Sequence, residues 1–225
     1  MSVPVSEPAL AAPSRLEAVP SPPGEMAITT LPVLASGVPT SVFGFATIIT
    51  ILSLNNAGLI GSGAMFLPAA MAVGVLAIGI GGLYELRNGD LFGGTFGICY
   101  AAFLLATGIG LRFFGPAATA DAATLNAFGD AVGAWFLLWA LVSVFFTIGA
   151  RLVNTTAVIA FAFLALVLAL AGLANIVGGD TAATLTKLAG YAGLIDGAAA
   201  FWLAGGLLLN TMYGRDVLRL GAARA

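Results

Sequence analysis

Residues 151–180 read RLVNTTAVIAFAFLALVLALAGLANIVGGD. A charge stands at each end, and none lies between Arg151 and Asp180. The hydrocarbon layer of a bilayer takes about 20 apolar residues per helix, with charge kept to the ends. This stretch has that length and that charge placement. Gly178 and Gly179 break it at one end, as turn residues do.

The same pattern repeats outward in both directions. Ten charged residues lie between Leu31 and Asn210, and nine of them fall in or beside gaps between apolar runs. The tenth, Asp196, sits inside one. The gaps delimit six segments, at about 39–60, 66–86, 91–113, 128–148, 154–177 and 188–212. Each is close to the length of a helix that crosses a core of about 30 Å at 1.5 Å per residue. The joints are short, so neighbouring helices run antiparallel and pack as one bundle. The fold class predicted is an all-α integral membrane protein, a six-transmembrane-helix bundle over residues 31–212.

Composition supports this. The chain of 225 residues is 60% hydrophobic and 8% charged, against roughly 25% charge in soluble domains. The net charge of −2 says nothing about nucleic acid, but there is no basic cluster to bind phosphates, so no nucleic-acid partner is expected. There is no histidine and one cysteine, which excludes Cys/His zinc sites, histidine-ligated haem, Ser–His–Asp or Cys–His nucleophiles and an internal disulfide. No metal or cofactor is expected. No pair of titratable groups shares a plausible site, so an enzyme is not expected either.

Residues 1–30 hold six prolines among Ser, Ala and acidic residues and are predicted to be a disordered tail. Residues 213–225 form a second, short tail. Arg15, Arg87, Arg151, Arg215, Arg219 and Arg224 fall on one side of the six spans, against Arg112 and Lys187 on the other. The positive-inside rule then puts both termini in the cytoplasm of a multi-pass cell-membrane protein.

Polar residues inside spans need partners in lipid and so face inward. Asn55 and Asn56 in the first segment and Thr95 in the third are candidate pore-lining groups. Asn175 and Asn210 suit helix C-capping. Glu85 and Arg87 are expected to pair at the interface. Small residues spaced four apart, such as Gly193 and Gly197, let helices approach closely. Asp196, about two turns into the last segment, is a candidate proton site facing an outer vestibule, or else a hydrogen-bonded packing contact.

Residues 188–221, LAGYAGLIDGAAAFWLAGGLLLNTMYGRDVLRLG, closely resemble the last helix and tail of the acetate uptake transporter family, the SatP/YaaH/Ato group. Residues 85–93, ELRNGDLFG, resemble that family's E-x-x-x-G-N-T-F-G, with Thr95, Tyr100 and Phe103 in step behind it. Phe43-Gly44-Phe45 and Leu54-Asn55-Asn56-Ala57-Gly58 resemble its first helix. There are departures: Asp90 stands for the family's Asn, Asn55 for a His and Leu207 for an acidic residue, and Asp196 has no charged counterpart.

The resemblance implies a homo-hexamer with a pore in each protomer. It implies passage of small monocarboxylates such as acetate, and in some members succinate, commonly by proton symport. It also implies a gate, which falls here on Phe45, Tyr100 and Leu164. The Tyr100 hydroxyl is then expected to donate to a carboxylate oxygen. The residues by themselves leave open a channel for a neutral solute such as urea, a short amide or ammonia.

Overall fold

The computed structural model describes residues 35–223. The predicted disordered tail at 1–30 lies outside them. Six helices are long and apolar enough to cross a membrane: α1 (Val38–Asn56), α2 (Phe66–Asn88), α3 (Leu91–Phe114), α4 (Ala122–Ala150), α5 (Thr155–Val177) and α6 (Gly179–Tyr213). The chain is an integral membrane protein of six spans.

Short polar side chains start three of these helices. Asp90 accepts from the Gly93 amide at 3.0 Å, Asp121 from Thr124 at 2.9 Å and Asn154 from Ala157 at 2.8 Å. Each satisfies an amide that the first helical turn leaves without a partner. Capping also explains where α4 outruns its apolar segment. α4 begins at Ala122 rather than near 128, because Asp121 caps it. α6 begins at Gly179 rather than near 188, and carries Asp180 and Lys187 in its first turns. Hydropathy marks the part of a helix that suits lipid, not where its hydrogen bonds begin.

The helices pack in chain order around a ring: α1 on α2, α2 on α3, α4 on α5, α5 on α6, and α6 back on α1. Large aromatic side chains bridge α3 and α4. Phe103 lies 4.7 Å from Trp139 and 5.9 Å from Trp135, and Tyr100 5.5 Å from Phe146, between ring centroids. Glycine does the opposite between α2 and α3. A Cβ on Gly82 would lie 2.7 Å from Gly97 Cα, so those backbones touch.

α2 relaxes to a π-helical stretch at Gly74–Gly79. Such a stretch loosens the i to i−4 ladder. The Ser41 hydroxyl of α1, fully buried, donates to the Ile78 carbonyl at 3.2 Å, just where that ladder is disturbed.

Glu85 and Arg87 part company. Glu85 turns inward and accepts from the Ser36 hydroxyl at 2.9 Å and from the Gly37 amide, while Arg87 is exposed. This ties the entry of α1 to the end of α2. Asn210 does not simply cap α6. Its side chain binds the Val217 and Leu218 amides at 2.7 and 2.9 Å and the Leu218 carbonyl at 2.8 Å, folding the C-terminal segment back. Leu220 then packs against Gly206, and its carbonyl accepts from the Thr156 amide and hydroxyl. Asn175 donates within its own helix to Ala171 at 2.8 Å.

Candidate functional site

Two cavities lie inside the ring, one towards each end. The first, about 280 Å³, opens where α1 begins and α6 ends. The second, about 270 Å³, reaches the opposite end at Phe66, Leu111 and Thr186. Phe45 and Leu164 line both, so the cavities abut across these two side chains. Phe45 is 6% exposed and Leu164 2%.

Helix periodicity makes this path. On α1, Val38, Val42 and Phe45 line the first cavity, and Phe45, Ile49, Leu52 and Asn56 the second. These positions alternate spacings of four and three, the inward stripe of one helix face. On α5 the stripe runs Ala157, Ala160, Leu164, Val167, Ala171 and Asn175. On α3 it passes Phe96 in the first cavity and Phe103 and Thr107 in the second.

Tyr100 falls on that α3 stripe between the two cavities, but lines neither. It is fully buried, 6.1 Å from the Phe45 ring and 5.3 Å from that of Phe96. Its hydroxyl lies 2.7 Å from Ser143 Oγ on α4. Ser143 donates its own proton to the Trp139 carbonyl at 2.8 Å, so Tyr100 is the donor to Ser143. The phenolic proton expected to meet a solute is committed to the scaffold. Aromatic pairs of this kind add about 0.5–1.5 kcal/mol each beyond packing. The phenol therefore stiffens the wall that holds Phe45.

The other candidates separate. Asn56 lines the second cavity. Asn55 instead packs under the α1–α2 joint, where a Cβ on Gly63 would lie 2.8 Å from its Cγ. Thr95 lines neither cavity and is half-buried. Five residues from Tyr100, it is turned about 140° away at 100° per residue. Thr107, Asn175 and Thr186 also line the second cavity. Thr107 accepts from Trp135 Nε1 at 2.9 Å. Its seven-residue spacing from Tyr100 was a readable sign that it shares the inward face.

Asp196 sits at the middle of α6, 17 residues from either end, because α6 starts nine residues before its apolar segment. The carboxyl is completely buried. Residues four, seven and eleven positions on, Ala200, Leu203 and Leu207, line the first cavity.

The charged side chains lining the first cavity are Glu85 and Asp90, and none lines the second. Neither lining includes Lys or Arg. Among the described residues no cluster could hold a metal ion.

Two cavities in line, interrupted by an apolar constriction inside six membrane-spanning helices, define a membrane transport protein of the channel or transporter type. The profile of the GPR1/FUN34/yaaH family matches residues 21–213. The succinate-acetate/proton symporter SatP of Escherichia coli K12 is 31% identical over 190 residues, covering 84% of this chain and 96% of that protein. An uncharacterised protein of Methanothermobacter thermautotrophicus is 29% identical over 189 residues, covering 82% and 90%. A solved structure of the bacterial acetate channel SatP superposes with a TM-score of 0.73 at 28% identity, over 84% of this chain and 99% of that one. The chain belongs to the GPR1/FUN34/yaaH family.

Proposed function

We propose that this protein carries small monocarboxylates of the acetate class across the membrane, as the neutral acid, through the Phe45–Leu164 constriction. The observation that carries this reading is the pair of cavities that meet only across two apolar side chains, with no lining cation. An anion entering such a constriction loses its water and gains no counter-charge, at a cost of several kcal/mol. Protonating a simple carboxylate at pH 7 costs about 3–4 kcal/mol, from about 1.4 kcal/mol per pH unit. The neutral form is the less costly passenger. Glu85 and Asp90 at the first cavity act in the same direction, since they repel an anion.

Phe45 and Leu164 form the gate in this reading, and Tyr100 holds it in shape. Asn56, Thr107 and Asn175 offer the carboxyl group hydrogen bonds in the second cavity. The protomers assemble as homo-hexamers in the cell membrane with both termini cytoplasmic. The apolar outward face of α4, with Phe145 67% and Leu138 62% exposed, supports a surface against lipid or a neighbouring protomer. The named relatives are acetate proteins, which favours this reading over a urea or amide channel.

The test is flux into proteoliposomes of acetate against urea over a pH series. Acetate uptake that rises as pH falls, with urea excluded, is expected. Urea flux indifferent to pH would overturn the proposal.

A further inference from the structure

The pathway residues leave one group of polar atoms without a task. Both carboxyl oxygens of Asp196, the Thr50 hydroxyl and the Ser53 hydroxyl are buried and have no hydrogen-bond partner among the described residues. A buried polar group left unpaired costs about 1–3 kcal/mol, and more if it is charged. Three such side chains at one helix–helix contact therefore call for an occupant.

They share that contact. α6 crosses α1 with Gly193 against Ser53 and Gly197 against Thr50, where a Cβ on either glycine would collide with the hydroxyl. Asp196 stands between the two glycines on α6. The two hydroxyls also differ from others nearby. Thr47 on α1 and Thr211 on α6 each donate to the carbonyl one turn back, at 2.9 and 2.7 Å. Thr50 and Ser53 do not, and stay available to a partner.

We propose that Asp196, with Thr50 and Ser53, forms a proton-binding site at the middle of α6, whose occupancy governs passage of the acid at the constriction. This rests on the acid-transport reading above. A carboxyl in low-dielectric surroundings with no cation beside it is neutralised by a proton. The resulting O–H can donate, and the Thr50 and Ser53 hydroxyls on the facing helix are acceptors without a partner of their own. Uptake of the proton forms an O–H bond on a carboxylate oxygen and breaks one in hydronium, leaving water. Release reverses both changes.

The site lies one side chain behind the pathway wall. The Cβ position of Gly193 is 3.4 Å from Val167 Cγ2, and that of Gly197 is 3.6 Å from Ile49 Cγ2. Val167 and Ile49 line the second cavity. α5 and α6 are antiparallel, so Asp196, one turn on from Gly193, is level with Leu164, one turn back from Val167. A charged carboxylate there would draw water towards the apolar wall that admits a neutral acid, whereas the protonated form leaves that wall dry.

The other titratable groups around it are few. α1 and α5, the two helices packed against α6, contain none. Across the bundle, on α3, the Tyr100 phenol has its proton held by Ser143. On α6 itself, Tyr191 is exposed and Asp180 and Lys187 lie two turns or more away.

The test uses the full chain in proteoliposomes, with the initial rate of acetate uptake divided by the concentration of neutral acid. In the wild type this normalised rate is expected to fall as pH rises, by about fivefold or more, the lower end of ordinary coupling factors. In Asp196→Asn it is expected to be flat. Thr50→Val and Ser53→Ala, which keep the packing, are expected to move the pH of the fall while retaining the low-pH rate. These two variants serve should Asp196→Asn fail to fold. A flat wild-type profile overturns the site, as does a fall that survives in every variant. So does uptake that follows sodium at constant pH, which would assign the site to a metal cation. If the wild type carries no acetate at any pH, the transport reading itself has failed.

Discussion

Leu164→Ala probes the constriction directly. The side chain is 2% exposed and bounds both cavities. Truncation removes three carbons, and large-to-small substitutions of this kind cost about 2–5 kcal/mol in a packed core. Here the vacated space joins two existing cavities rather than leaving a sealed void, so the loss should sit near 2 kcal/mol. The effect on selectivity should be larger. One methylene in an apolar pocket is worth about 1–3 kcal/mol, or roughly 10–200-fold. Widening the gate should therefore raise uptake of propionate or butyrate relative to acetate by at least about tenfold. The assay is competitive uptake of acids of increasing chain length into proteoliposomes. Leu173→Ala is the control, on the same helix but 42% exposed. An unchanged chain-length profile in Leu164→Ala, with protein folded and inserted, would refute the placement of the gate.

Other outcomes follow from single contacts. Tyr100→Phe removes the bond to Ser143 and leaves that hydroxyl short of a donor, which should cost about 1–3 kcal/mol in thermal stability, while acetate uptake stays within about twofold. A loss of uptake with unchanged stability would restore the phenol as a solute ligand. Asn210→Ala deletes all three side-chain bonds to Val217 and Leu218, so residues 214–223 should become sensitive to protease while the spans remain intact. Asp121 caps α4, and the Thr124 amide and hydroxyl hold its carboxyl below the ordinary carboxylate range. A group with a lowered pKa stabilises the folded form above its unfolded pKa, and that contribution is lost as pH falls through the folded value. Amide exchange in the first turn of α4 should therefore accelerate at strongly acid pH. Asp121→Ala should show the faster exchange at neutral pH as well, and equal rates in both proteins at neutral pH would contradict the cap.

The six spans were legible because charge placement is a coarse signal that survives any detail of packing. The inward stripe of α1 was not: apolar residues cover every face of that helix, so spacing alone does not single out Val38, Val42, Phe45, Ile49, Leu52 and Asn56. What failed were readings that needed a partner's position. Tyr100 lies on an inward face, but nothing in the local sequence shows that Ser143, on the next helix, takes its proton. Asn55 and Asn56 look alike in the chain, yet a 100° step sends one under the joint and the other into a cavity. Hydropathy begins the last segment nine residues after the helix itself, so Asp196 lies mid-helix although it is about two turns into the apolar part. Its two unpaired neighbours, Thr50 and Ser53, belong to a different helix and become neighbours only through Gly193 and Gly197.

The most direct test of passage as a neutral acid is electrical. Acetate uptake into proteoliposomes should be measured at fixed pH while a potassium gradient with valinomycin sets the membrane potential. A neutral passenger carries no charge, so uptake should be the same at either sign of potential, and no acetate current should be recorded. A current that reverses with the acetate anion gradient would contradict an uncharged passage between Phe45 and Leu164.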